Sequence, residues 1–233
     1  MDITKNAVTA FAGRLSGCAG PGGTDSVSLQ HWLLSFGAAS AEFRLIVGDF
    51  IEWLGNGRHP WAAYWALMSG QLISLDNQPG IMPVIVGETW RRMMANCLLR
   101  VAGPESKSAC GTTQLEGGLG SGIEGAIHAM RVLWEEHKAE EDWGFSLIDA
   151  RNAFNEENRT AMLWTVRHEW PSGAQFMFNC CRHWATLVVW YTGDGSGHFL
   201  YIKEGVTQGD PLAIIAYGIG VLPLIRELWN AHS

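Results

Sequence analysis

Apolar positions along the chain recur mainly with helical spacing. Phe43, Ile46, Val47, Phe50, Ile51 and Leu54 fall at i, i+3, i+4 and i+7, which gathers them on one face of a helix. Ser40 stands where a cap belongs, and Gly55-Asn56-Gly57 stops the pattern. Pro60 opens a further helix, expected to run to about Ile73. Trp90, Met93, Met94, Cys97, Leu98 and Val101 make a second clean face, which Gly103-Pro104 is expected to end. Ile123, Ala126, Ile127, Met130, Leu133 and Trp134 make a third, and a helix from about Glu157 to His168 precedes Trp170-Pro171.

Strand signals are fewer. Asn77-Gln78-Pro79-Gly80 reads as a turn before a short strand at Ile81–Val86. The run Trp143 to Ile148 is apolar and delivers Asp149 at its end, as a buried strand would. Thr186–Tyr191 and His198–Lys203 flank a Gly/Asp-rich turn and predict a hairpin. Helices with one hairpin and few strands predict an α+β fold rather than a βαβ succession. Residues 1–27, rich in Gly, Ser and Thr, read as a loose leader, with a mostly helical region over 28–140 and a mixed one over 141–233.

Composition narrows the class. Of 233 residues, 47% are hydrophobic and 17% charged, which excludes a disordered chain. The five cysteines follow no pairing pattern and the first fifteen residues hold no apolar core of signal-peptide length. Both point to an intracellular protein in cytoplasm or nucleus. The longest uncharged apolar run, Pro211–Ile225, is shorter than the roughly 20 residues of a membrane span, so it is expected to be a buried helix. Net charge is −7, which by itself counts against gripping a nucleic-acid backbone.

Two segments carry candidate chemistry: Leu147-Ile148-Asp149-Ala150-Arg151-Asn152-Ala153-Phe154-Asn155, and Glu204-Gly205-Val206-Thr207-Gln208-Gly209-Asp210-Pro211-Leu212. A carboxylate at the end of a buried strand is costly unless it binds a cation or accepts hydrogen bonds. Asp149 alone therefore admits two readings, a ligand for a hard divalent ion such as magnesium or an ordinary helix cap. The second segment also reads as a helix start, with Asp210 capping and Pro211 in the first turn.

Taken together, the two segments resemble motifs A and B of the retroelement reverse transcriptases. Gly205, Gln208, Gly209, Asp210, Pro211 and Leu212 follow the order of motif B, while Asp149, Ala153 and Phe154 fill the places of motif A. Pro79-Gly80-Ile81-Met82-Pro83-Val84 with the following Arg91-Arg92, and Gly122 to His128, resemble fingers segments of the non-LTR retrotransposon and group II intron-like enzymes. The likeness runs in order over roughly residues 40 to 230. It implies a partial right-hand polymerase fold, with helical fingers and an incomplete palm. The implied activity is RNA-directed DNA polymerisation, with magnesium as cofactor and RNA template, DNA primer and dNTP as partners. Asp149 and the Ala150 carbonyl are then metal ligands, Arg151 adds charge nearby, Phe154 lies against the sugar, and Gln208 and Gly209 border nucleotide and template.

The chain departs from that pattern twice. The Tyr/Phe-x-Asp-Asp turn does not occur in the 233 residues, and no thumb follows the motif B helix before Ser233. One aspartate cannot organise the two ions, about 3.5–4 Å apart, of such a centre, so these residues alone are expected to be inactive. Met82 stands where the family presents an arginine, and a thioether makes no charge-assisted bond to phosphate. The alternative expectation is a decayed, non-catalytic remnant serving as a nucleic-acid-binding or interaction module. In either case the strand at Asp149 and the helix Leu212–Trp229 are expected to lack cover, which predicts association or partial order.

Other patterns carry less. Gly120-Ser121-Gly122-Ile123-Glu124-Gly125 matches Gly-x-Gly-x-x-Gly but lacks strand-like residues before it. Cys180-Cys181 with His183 fits no zinc spacing, so buried thiols are expected. Asn158-Arg159-Thr160 is a glycosylation signal only in a secreted protein. The twelve tryptophans offer base-stacking platforms, although Trp90 and Trp134 sit on apolar helix faces where core packing is the default.

Overall fold

The computed structural model describes residues 2–76, 81–118, 120–190, 196–207 and 209–232. Among them the chain folds as α1 (Lys5–Ala12), α2 (Ser26–Leu34), α3 (Ala38–Asn56), α4 (Ala62–Trp65), β1 (Gly70–Asp76) and β2 (Ile81–Gly87). Then come α5 (Thr89–Cys110), α6 (Leu115–Gly118), α7 (Gly122–His137), α8 (Ala153–Glu156), α9 (Arg159–Glu169) and α10 (Pro171–Cys181). The chain closes with β3 (Ala185–Trp190), β4 (Gly197–Ile202), α11 (Ala213–Gly220) and α12 (Leu222–His232). It is a mixed α+β fold with one four-stranded sheet in the order β2-β1-β3-β4.

Two antiparallel hairpins build that sheet. β1 pairs β2 along its whole length, from Gly70 opposite Gly87 to Asp76 opposite Ile81. β3 pairs β4 from Ala185 opposite Ile202 to Trp190 opposite Gly197. A short parallel seam, Gly70 with Leu187 and Gln71 with Val188, joins the two hairpins. The hairpin expected at 186–203 and the strand at 81–86 are both present, whereas β1 replaces the far end of the helix expected from Pro60 to Ile73. Here the full-length pairing with β2 outweighs local helical preference.

The hydrophobic core lies among α1, α3, α5, α9, α10 and α11, so the regions 28–140 and 141–233 share one interior. Trp170 is fully buried and its indole N–H donates to the Ala102 carbonyl at 2.9 Å, which fastens the α9–α10 corner to α5. Asn179 Nδ2 donates to the Gly57 carbonyl at 2.7 Å and to the Tyr64 hydroxyl at 3.0 Å, while that hydroxyl donates to the Leu54 carbonyl. These bonds tie α10 to the end of α3 and to α4.

Several expectations are corrected. Residues 1–27 are not wholly loose: α1 packs Ala7, Val8 and Ala12 inward against α3 and α5, with Ile3 also buried. Ser40 does not cap α3; it lies in its first turn, where its hydroxyl accepts from the Phe36 N–H at 2.9 Å and donates to the Trp32 carbonyl at 2.7 Å. Within α3, Val47, Ile51 and Leu54 are buried but Ile46 and Phe50 face out, so the inward stripe is narrower than the apolar one. α5 continues through Pro104. Burial of Ala102, Ser106 and Cys110 outweighs the roughly 3 kcal/mol that an interior proline costs.

The largest correction concerns residues 143–150. They form no strand, and Leu147 and Ile148 are 82% and 83% exposed. No strand among the described residues pairs with them, and an unpaired run has no sheet face on which to bury alternate side chains. The apolar run Pro211–Ile225 is not one helix either; it spans the turn before α11, the buried α11, and the start of α12, whose outer face is exposed.

Candidate functional site

The segment Glu204–Leu212 is held in place from three sides. Arg159, at the start of α9, is buried and uses its whole guanidinium. Its Nε donates to the Gly205 carbonyl at 3.0 Å, Nη1 to the His183 carbonyl at 2.9 Å, and Nη2 to the Glu204 carbonyl at 3.2 Å. The Glu204 carboxylate in return accepts the Arg159 backbone N–H at 2.9 Å. The second side is the α8 turn: the Val206 N–H donates to the Phe154 carbonyl at 2.7 Å and the Gly205 N–H to the Glu157 carbonyl at 2.8 Å.

Glycine is required at both ends of this loop. Gly205 has φ +62°, and a Cβ there would stand 2.1 Å from the Phe154 carbonyl oxygen. Gly209 has φ +97°, and a Cβ there would stand 2.7 Å from the Ile85 carbonyl oxygen of β2. Positive φ and backbone in the way both exclude a side chain. Three stretches singled out in the sequence therefore meet at one loop: Phe154, the Gly205–Leu212 segment, and the strand that precedes Arg91.

Arg91 closes the third side. Its Nη2 lies 2.9 Å from Asp210 Oδ2, with both side chains almost wholly buried. Nε donates to the Met68 sulfur at 3.2 Å, and the guanidinium sits 4.9 Å from the centroid of the Phe176 ring. Burial opposes the charge on Arg91, but Asp210, with Cys180, Cys181 and Tyr64 adding to it, holds the guanidinium above its ordinary value. Asp210 also accepts the Leu212 N–H at 2.8 Å through its other oxygen, which holds the turn before α11 while Asp210 neutralises Arg91; the N-cap of α11 itself is Leu212, so Asp210 is not the expected helix cap. Nη1 of Arg91 has no hydrogen-bond partner among the described residues. It lines a narrow interior cavity with Cys180, Cys181, Thr207 and Asp210.

Phe154 is half-buried, its ring 5.0 Å from that of Tyr217 on α11. Beside it, both carboxylate oxygens of Glu157 are buried without a hydrogen-bond partner among the described residues. That burial pushes the Glu157 carboxyl up to about 8. Burial likewise raises the Tyr217 hydroxyl, with Glu157 adding to it. Nothing in the spacing of Glu157 or Arg159 marks either residue in the sequence; their roles arise only when the Glu204–Gly205 strand end folds back over α9.

Of the remaining predicted residues, Asp149, Ala150 and Arg151 do not join this cluster. Asp149 and Ala150 are exposed on the irregular segment before α8. Arg151 is exposed as well, 3.8 Å from Glu156. Gln208 and the Met82 side chain lie outside the described residues. Among the described residues no group of three His, Cys, Asp or Glu side chains is arranged to hold a metal ion. A lone exposed carboxylate with a neighbouring carbonyl does not supply the donors of a two-magnesium centre, so no catalytic step is derived through such ions.

Comparison with protein-family models and with curated proteins finds no match.

The lesser patterns resolve simply. Residues 115–118 form α6 and not a strand, so the described residues do not supply the strand that a dinucleotide loop needs before it. Cys180 and Cys181 are buried thiols, pushed up by burial to about 12 and about 11. Asn158 accepts the Ala161 N–H at 2.9 Å and caps α9. No helix among the described residues is long and apolar enough to cross a membrane.

Proposed function

We propose that this chain is the fingers and partial palm of a retroelement RNA-directed DNA polymerase, and that these 233 residues do not polymerise by themselves. The observation that carries the reading is the loop Gly205–Leu212. Its motif B residues are packed, through two obligatory glycines, against the Phe154 turn on one side and the strand before Arg91 on the other. Those are the segments whose order resembles the reverse transcriptases. In this reading Phe154 and Gly209 border the nucleotide, Gln208 lies between them in sequence, and Asp149, Ala150 and Arg151 belong to the magnesium site. RNA template, DNA primer and dNTP are the partners, in cytoplasm or nucleus.

One observation favours a second reading, that of a non-catalytic remnant. Asp149 is exposed, and among the described residues no second carboxylate joins it in a metal-holding group. Primer extension on an RNA template with magnesium separates the two. The comparison is between this chain and the same chain joined to an Asp-Asp turn and thumb from a reverse transcriptase. The polymerase reading expects deoxynucleotide addition by the joined protein alone. Absence of extension in both would overturn it in favour of the remnant.

A further inference from the structure

We propose that the chain carries a second binding site, a basic and aromatic groove for single-stranded nucleic acid formed by α9, α10 and the base of the β3–β4 hairpin. The inference goes beyond the polymerase reading, because none of Asp149, Phe154 or Gly209 lines the groove. A cavity of about 470 Å³ is bordered by Trp164, Arg167, Phe178, Arg182, Trp184 and Lys203. A second cavity of about 430 Å³ shares Leu163, Arg167 and Phe178 with it and extends the groove to Arg58 and Gln175.

Charge complementarity identifies the occupant. The whole chain has net charge −7, yet Arg58, Arg167, Arg182 and Lys203, four of its sixteen Lys and Arg residues, line this one channel, beside the buried and fully engaged Arg159. The acidic side chain on the same wall, Glu204, is engaged with the Arg159 backbone. A polyanion is therefore the ligand that this surface attracts.

The aromatic rings select among polyanions. Trp164 is 67% exposed and Trp184 54%, far more than large apolar rings show when they serve a core. Cations stand against two rings of the groove, Trp184 and Phe178, and Trp164 lines the same cavity as Arg167. Lys203 Nζ lies 4.5 Å from the Trp184 ring centroid, and the Arg58 and Arg182 guanidiniums lie 5.8 and 5.7 Å from that of Phe178. Arg182 is anchored at the groove by donating to the His59 carbonyl. Stacking platforms set among phosphate-pairing cations suit a strand whose base faces are free. A duplex keeps those faces paired and stacked, and an acidic peptide has none.

The test is fluorescence anisotropy of the whole chain with a fluorescein-labelled single strand of about 12 nucleotides, without magnesium or nucleotide. A duplex of the same sequence and polyglutamate serve as rivals. We expect binding that favours the single strand. Trp164→Ala with Trp184→Ala should weaken it about tenfold or more. Arg167→Glu with Lys203→Glu should weaken it as much and make the salt dependence shallower by about 0.7 per cation removed. If the charge reversals unfold the chain, Arg167→Gln with Lys203→Gln replaces them, with the same expectation for the salt slope. Equal affinity for polyglutamate or duplex would overturn the proposal, as would affinity unchanged in either pair of variants. Because Asp149→Ala should leave this binding intact, failure here is distinct from failure of the polymerase reading.

Discussion

Glu157 is the residue whose environment conflicts most with its chemistry. Its carboxyl is buried against Gly220 near Met162 with no donor to meet it among the described residues, and its folded value of about 8 lies above the ordinary 4.5. Between those two values the native chain holds a proton that the unfolded chain has released. Stability contributed by this group is therefore lost as pH rises through that window and regained on acidification. We predict that Glu157→Gln stabilises the protein by on the order of 2 kcal/mol at pH 8. Near pH 4.5 it should do little. Thermal melts of both forms across that range check this, and parallel pH profiles would contradict it. The isolated residue gives no such hint in the sequence, where Glu157 is one of four acidic or amide residues in a row, Asn155 to Asn158, before a helix.

Between elements, the decisive contact is the one that joins α5 to the loop before α11. Arg91 and Asp210 are 2.9 Å apart and nearly out of water. Removing one partner strands the other charge in the interior, which costs about 3–5 kcal/mol. Asp210→Asn should therefore lower the unfolding free energy measured in urea by an amount of that order, and a double-mutant cycle with Arg91→Met should show strong coupling. An Asp210→Asn loss below about 1 kcal/mol, the range of exposed pairs, would show that the contact does not hold the loop. Elements with a local rule were legible from sequence: the α5 face from Met93 to Leu98, the β3–β4 hairpin, the Gly57 stop after α3. Elements decided by distant partners were not. β1 depends on β2, α10 hides behind Trp170-Pro171, α5 ignores Pro104 because its last turns are buried, and residues 143–150 lack the pairing that an apolar run needs to become a strand.

At the scale of the molecule, apolar surface is left without cover. Ile123, Ile127, Leu133 and Trp134 on α7, and Leu224, Leu228 and Trp229 on α12, are exposed together with Leu147 and Ile148. Their helical periodicity was readable, but which side would find a partner was not, since period alone marks a stripe and not what lies against it. Contiguous apolar faces of this kind invite association. Light scattering should show concentration-dependent oligomers, and Ile127→Glu with Leu224→Glu should reduce them. A monodisperse monomer with a sharp cooperative melt would contradict this. Of the candidate site, the Gly205–Leu212 loop and Phe154 were legible in the sequence and meet in space. Asp149, on which the proposed chemistry rests, stands apart from them and exposed.

That exposure makes one measurement unusually clean, because Asp149→Ala removes no buried contact and should leave the fold unchanged. The measurement is the rate of RNA-templated primer extension with magnesium, by the chain joined to an Asp-Asp turn and thumb, with and without Asp149→Ala. The account predicts extension by the unmutated joined protein and a fall of about a thousandfold or more in the variant at equal melting temperature. Extension at an undiminished rate in the variant would contradict it.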